Sequence, residues 1–273
     1  MPAVQLARLR IQTTRLAESY DDPKEFSRGL DSLLELYGNR AFRPGYTASD
    51  RSRLPAYNVP PLVMRQLEVE LGQVCAADPA NSLQNIDQIW KSENLEMREV
   101  AIFLLGRVSL DYLVEVSSRL KNWCDPTQDP KLIHDLLLTG GRTIRQVQPE
   151  NWLELTSEWL RTRDSRVINI GLCSLEPFLD DTRMKYLPQV YNLLDPLVEN
   201  PHPAVMADLE KVLQQVYSIS PMETQSFLRK ILEANPHPQF IRLVRRLLPN
   251  FTPESQNYLR SYISQQDREI KKD

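Results

Sequence analysis

The chain has 273 residues, with 33 Lys and Arg against 36 Asp and Glu and a formal net charge of −3. This near balance gives no whole-molecule attraction to nucleic acid or acidic membranes, so such binding would need a local basic patch. No run approaches the roughly 18 consecutive apolar residues of a transmembrane helix, and the N-terminus lacks the pattern of a signal peptide. We therefore expect a cytoplasmic protein that makes no membrane contact.

Cysteine and histidine are too scarce to organise a metal or disulfide framework. The three cysteines, Cys75, Cys124 and Cys173, are widely separated, and each lies in or beside an apolar stretch. Buried thiols in a reducing compartment are the expected outcome. With only three histidines and no glycine-rich phosphate loop, we expect neither a metal site nor a cofactor.

Apolar residues recur at three- and four-residue spacing from Val4 to Ser19 and from Lys24 to Tyr37, which predicts an N-terminal helical hairpin within residues 1–39. The pattern stops over residues 40–60, which are predicted to form an Arg- and Tyr-rich loop. From residue 61 to 267 helices follow one another closely, many of them opened by proline, and a charged tail over 268–273 follows. The predicted helices are 61–77, 79–91, 95–108, 110–123, 130–146, 149–162, 165–179, 184–199, 203–217, 221–234, 238–248 and 253–267.

A motif repeats in the second half of the chain. Asn200-Pro201-His202-Pro203 recurs 35 residues later as Asn235-Pro236-His237-Pro238, and each copy opens an apolar helix. One repeat earlier, Asp164-Ser165-Arg166-Val167 begins a similar helix, and Asp before Arg-Val is typical of HEAT-type units there. A period near 35 suits two helices and two turns, and such a unit must stack on its neighbours. We predict an all-α fold, an α-solenoid of HEAT-like hairpins (an armadillo-type superhelix) that runs on from the N-terminal hairpin as one domain.

Two segments carry a family pattern. The first is Tyr57-Asn58-Val59-Pro60, which leads into the helix LVMRQLEVEL; the second is IWKSENLEMREVAIFLL, residues 89–105, with a Trp, a short turn and an acidic-basic helix start. Both resemble the DNA alkylation repair family, the AlkD-like helical-repeat DNA glycosylases, with Asn58 at a position where glycine is usual. The resemblance covers roughly residues 55–250 and implies a helical-repeat fold. Its matching positions in the second segment are Trp90, Ser92, Glu96, Arg98 and Ala101.

The same resemblance implies a catalytic pair that this sequence does not show. The family's glycosylases carry a Trp and a catalytic Asp four residues apart, and these positions fall near Pro130 and His134. The family's Arg falls on Ile170, and a further Trp falls near Lys211. Asp135 is the candidate catalytic residue, because a carboxylate in the cleft could stabilise positive charge developing on a sugar. A one-residue slip turns a helical side chain by about 100°, so a solvated helix residue is the alternative.

Basic and aromatic side chains are interleaved in and beside the loop over residues 40–60. This mixture suits a nucleic-acid strand, through phosphate contacts and base stacking. It equally suits a protein partner, because Arg and Tyr are frequent in interface hot spots, while a plain connecting loop is the third possibility. The residues are Arg40, Arg43, Tyr46, Arg51, Arg53 and Tyr57.

A second basic group lies on later helices. Arg242, Arg245 and Arg246 are close together, and Arg142 and Arg145 would join them if the solenoid curves inward. A concave basic stripe could hold a DNA backbone, whereas a solvated repeat face is the alternative.

Two functional hypotheses follow from these patterns. The first is a non-catalytic helical-repeat scaffold that holds DNA or, equally, a protein partner on its concave face or Arg/Tyr loop. The second is a divergent DNA glycosylase that excises alkylated purines with Asp135 or another carboxylate. The missing Trp–Asp pair favours the scaffold.

Overall fold

The computed structural model describes residues 5–39, 53–234 and 236–270, without the side chains of 183 and 265–270. These residues form helices joined by short turns and contain no strand, so the all-α prediction is confirmed for them. None of the described helices is long and apolar enough to cross a bilayer. The α-helices are α1 (Leu6–Glu18), α2 (Pro23–Tyr37), α3 (Pro61–Ala77), α4 (Pro79–Trp90), α5 (Leu95–Leu105), α6 (Leu113–Trp123), α7 (Pro130–Asp135), α8 (Arg142–Val147), α9 (Pro149–Leu160), α10 (Ser165–Thr182), α11 (Leu187–Glu199), α12 (Met206–Ile219), α13 (Pro221–Glu233), α14 (Pro238–Leu247) and α15 (Pro253–Ile270).

The chain divides into two compact units, Met1–Val147 and Gln148–Asp273. In the first unit α1 packs on α2 and α3, α2 on α4, and α5 on both α3 and α4. In the second unit α9 packs on α10, α10 on α12, and α12 on α14, while α11 contacts α9 and α13, and α13 contacts α15. Alternate helices of the second unit therefore lie in two rows.

Several contacts between helices of the second unit join residues 35 apart. The pairs are Asn169 and Ala204, Asp180 and Gln215, Asp195 and Lys230, and Tyr217 and Thr252. Other contacts between its helices have different separations, for example 29 residues for Arg229 with Tyr258 and 39 residues for Gln215 with Glu176.

Local sequence explains where many helices begin. Proline occupies the first turn of α2, α3, α4, α9, α13 and α14, where its missing N–H costs no helical hydrogen bond. His202 and His237, the histidines of the repeated motif, each accept a backbone N–H two residues later, from Ala204 and Gln239, at 3.2 Å. The imidazole nitrogen thus satisfies a donor at the start of each helical turn.

The buried carboxylate of Glu96 anchors the segment that leads into α3. Glu96 is 5% exposed and accepts backbone N–H groups from Tyr57, Asn58 and Val59 at 3.0, 2.6 and 3.3 Å. Asn58 has φ +56°, in the left-handed region where glycine and asparagine are most easily accommodated. This backbone conformation gives a physical reason why a glycine-like residue is needed at this position.

The other residues of the second family-like segment stabilise the α4–α5 turn. Arg98 Nε donates to the carbonyl of Ser92 at 2.7 Å, and its guanidinium lies 5.1 Å from the centre of the Trp90 ring. Trp90 in turn stacks on Trp123 with ring centres 4.1 Å apart. These contacts therefore join α4, the turn and α5.

Glu96→Ala is expected to lower the free energy of unfolding by about 3 kcal/mol, because three backbone donors lose a buried, charged acceptor. The nearby exposed Glu93→Ala should change it by less than about 0.5 kcal/mol. Urea unfolding of both variants measures the difference, and equal stabilities would show that the carboxylate does not anchor this segment.

Candidate functional site

A break in the predicted helix 130–146 shapes the candidate site. The α-helical pattern ends at Asp135, a π-helical turn spans Leu136–Gly140, and α8 begins at Arg142, so the prediction of one continuous helix is wrong. Arg145 donates to the carbonyls of Leu137 and Leu138 and thereby satisfies oxygens in the widened turn. Such turns occur frequently at functional sites.

A glycine lets this turn lie close against the end of α5. A Cβ at Gly106 would collide with the carbonyl oxygen of Thr139, so the close approach requires glycine. Thr143 Oγ1 donates to the Gly106 carbonyl at 2.5 Å and holds the two segments together. The position of the π-helical turn is therefore fixed by α5.

An open groove of about 390 Å³ lies between α3, α5 and the π-helical turn, and we call it the α3/α5 groove. Its volume lies within the range of small ligand sites. Met64, Val100, Ile102 and Phe103 supply apolar surface, while the polar and charged lining residues are Arg65, Glu68, Glu99, Asp135 and Thr139. The groove therefore combines an apolar surface with three carboxylates, all contributed by the first unit.

Lys131 joins two of these carboxylates. Its ammonium group makes an ion pair with Glu99 and lies 3.2 Å from Asp135 Oδ2. Burial raises the pKa of Glu99 more than Lys131 lowers it. Burial acts to lower the pKa of Lys131, but Glu99 and Asp135 outweigh it and raise that pKa. Lys131 therefore stays charged at neutral pH and balances part of the acidic charge.

Glu68 lies on the α3 side of the groove. Partial burial raises the pKa of its carboxyl, against the opposing charges of Arg107 and Arg65. Arg107 also lies over the Phe103 ring, with 5.2 Å between guanidinium carbon and ring centre. Cations and carboxylates are thus mixed around this groove, and no uniform basic track runs along its described residues.

Asp135 lines the groove with a side chain that is 26% exposed. A catalytic role for Asp135 stays a prediction. Its carboxylate is engaged by Lys131, however, and Glu99 lies on the same lysine. Neighbouring His134 is exposed and does not line the groove.

The two candidate arginines of the first unit differ in exposure. Arg142 is exposed, whereas Arg145 is 2% exposed and directed at the carbonyls of the π-helical turn. Arg145 is therefore a structural residue and is not presented to a ligand, contrary to its predicted place in a basic stripe.

The three candidate arginines of the second unit lie on the exposed side of α14. Arg242, Arg245 and Arg246 are all exposed, and Arg246 makes a 2.7 Å ion pair with Glu210 of α12. Part of this basic group is thus already balanced by a carboxylate. That these three arginines lie close to Arg142 and Arg145 stays a prediction.

Most of the predicted Arg/Tyr loop lies outside the described residues, namely Arg40, Arg43, Tyr46 and Arg51. Arg53 has an exposed side chain, and its backbone N–H donates to Asp129. The Tyr57 hydroxyl donates to Asp31 at 3.0 Å, and burial together with this contact raises the pKa of Tyr57 to about 12. Tyr57 thus anchors the segment to α2 in addition to any contact with a partner.

Sequence reasoning missed Arg65, Glu68, Glu99 and Lys131. A usable signal existed, because Glu68, Glu99 and Asp135 recur at intervals of 31 and 36 residues, close to the length of one hairpin. Lys131 and Asp135 are also an i, i+4 pair. Among the described residues, no group of three or more His, Cys, Asp or Glu side chains could hold a metal ion.

Arg145→Met should lower the free energy of unfolding by about 2–3 kcal/mol, because the carbonyls of the π-helical turn would lose a buried charged donor. Arg142→Met, on the same helix but exposed, should change it by less than about 0.5 kcal/mol. Thermal and urea unfolding of the two variants provide the comparison. Similar stabilities would contradict the structural role of Arg145.

The geometry of the α3/α5 groove and its charges is what the functional inference rests on. No protein-family model, no curated protein and no solved structure matches the chain.

Proposed function

We propose that this chain is a non-catalytic scaffold of HEAT-like helical hairpins that holds a macromolecular partner in the α3/α5 groove. The recurrent 35-residue separation of contacts between hairpins supports the repeat architecture. The resemblance to the DNA alkylation repair family makes DNA one candidate partner, and a protein is the other.

The observation that carries the proposal is the ion-paired state of the groove carboxylates. A catalytic carboxylate acts by facing the developing positive charge directly. Here Lys131 already lies against both Glu99 and Asp135 and offsets the field that a cationic transition state would need. Binding requires no such unopposed charge.

The mixed lining of the groove favours a protein over a DNA backbone. Phosphate binding depends on clustered Lys and Arg, whereas this groove sets three carboxylates beside Arg65 and Lys131. An apolar surface with an aromatic side chain and a charged rim is typical of protein interfaces. Met64 and Phe103 would supply the apolar contact in such a complex.

A photoreactive phenylalanine analogue at Met64 is expected to give a covalent adduct with the partner in cells, because Met64 lines the groove. The same analogue at Val114, 77% exposed on α6, is the matched control and should give none. Protease digestion of an adduct would identify a protein and nuclease digestion a nucleic acid. Equal labelling from both positions, or none from Met64, would contradict the groove as the binding site.

A second candidate function, excision of alkylated purines, is favoured by one observation: Asp135 lines the same groove as Phe103 and Glu99. A carboxylate beside an aromatic side chain could hold a cationic alkylated base. Lys131 would have to move away from Asp135 for this chemistry.

Incubation with methylated duplex DNA at two salt concentrations tests this second function. The scaffold proposal predicts no release of methylated purine by either the unchanged chain or Asp135→Asn. Salt-sensitive binding without release would identify a DNA scaffold. Release that Asp135→Asn abolishes, with helical content unchanged by circular dichroism, would overturn the non-catalytic assignment.

A further inference from the structure

One extended segment connects the helices that line the α3/α5 groove. Residues 53–60 run from the start of α7, past the start of α5, to the start of α3, and we call this segment the strap. The backbone N–H of Arg53 donates to Asp129, which precedes α7. The carbonyl of Pro55 accepts the Leu95 N–H, at the start of α5, at 2.8 Å. The strap therefore contacts α5 and the start of α7 and leads directly into α3.

Two buried carboxylates hold the strap in place. Glu96 accepts three of its backbone N–H groups and Asp129 accepts one, and each of these two residues is 5% exposed. The other carboxylate oxygen of Asp129 accepts the Lys131 N–H at 2.9 Å. Breaking such bonds is costly, because a buried charge would lose its partners. The strap thus ties the start of α5 to the start of α7.

Two side-chain contacts join the same two regions. Arg98 of α5 donates to Gln128 at 2.9 Å, and neither residue lines the groove. Lys131 of α7 makes its ion pair with Glu99 of α5, and Glu99 does line the groove. The Lys131–Glu99 pair is therefore the connection between α5 and α7 that a ligand in the groove can reach.

We propose that the strap and the Lys131–Glu99 ion pair form one latch, which loosens when a ligand in the α3/α5 groove separates Lys131 from Glu99. Both connections join α5 to α7, so a small movement between these helices weakens both together. A cationic side chain of a protein partner, placed against Glu99, competes with Lys131 for the carboxylate. The latch regulates the binding proposed above, and it has this role only if the groove binds a partner.

The latch connects two regions that the sequence predicts to bind a partner separately. Arg53 and Tyr57, the described members of the predicted Arg/Tyr loop, both lie on the strap. Coupling between two binding sites is reciprocal, so a partner that displaces the strap also changes the affinity of the groove. The groove and the strap therefore respond to each other although they do not share a lining residue.

Amide hydrogen exchange of Tyr57, Asn58 and Val59 in the isolated protein tests the latch without a partner. Mass spectrometry with fragmentation of the exchanged chain resolves these three amides. Lys131→Met should make them exchange about fivefold faster, because local opening becomes easier once a partly exposed ion pair between α5 and α7 is lost. Lys131→Arg keeps the cation and should exchange at nearly the original rate.

Arg119→Met is the matched control in the same unit. Arg119 of α6 makes a 2.6 Å ion pair with Asp87 of α4, so this variant also removes one cation and one contact between helices. It should change the exchange of the three strap amides by less than about twofold.

Three outcomes would overturn the latch: unchanged exchange in Lys131→Met, equal acceleration by Lys131→Met and Arg119→Met, or equal acceleration at amides throughout α1–α5. The last would show a general loss of stability and no local opening of the strap. Photoreactive labelling from Met64 separates this result from the proposed function. A missing adduct contradicts binding in the groove, whereas unchanged exchange contradicts the latch alone.

Discussion

Burial of apolar helix faces against neighbouring helices is the constraint on which both units depend. A single amphipathic hairpin cannot cover its own apolar stripe, so each helix needs the one before and the one after. In the second unit α12 packs between α10 and α14 of its own row, and α10 packs on α9 and α12. The fully buried side chains Leu175, Phe178, Leu209 and Leu213 lie on α10 and α12. The surfaces that remain exposed for binding lie between successive helices of a row.

The α3/α5 groove lies on such a surface in the first unit. It combines apolar side chains with charged ones, and Lys131 lies against two of its three carboxylates. Part of its acidic charge is therefore balanced within the protein.

Helix positions could be predicted well from the sequence, because apolar periodicity, prolines and capping residues act locally. The span 61–77 agrees with α3 at both ends, and most other boundaries differ by only a few residues. The π-helical turn could not be predicted this way. It depends on Gly106, which lies 34 residues before Gly140, and on Arg145, whose charge suggested an exposed position.

The candidate sites were harder to predict, because they depend on which side chains of different helices meet. Asp135 could be found from its place beside the family's catalytic position, but Glu99 and Lys131 needed the pairing of α5 with α7. Glu68, Glu99 and Asp135 lie on three different helices, α3, α5 and α7, and line one groove although each is unremarkable alone.

Two residues of α5 show that neighbouring positions on one helix can have different roles. Glu96 and Glu99 are three positions apart on α5, yet Glu96 accepts backbone N–H groups from residues 57–59 while Glu99 faces the groove. The family-like pattern contains Glu96, Trp90 and Arg98, all of which hold the hairpin together. The pattern therefore describes how this helical hairpin is built, and Glu99, which lines the groove, is not part of it.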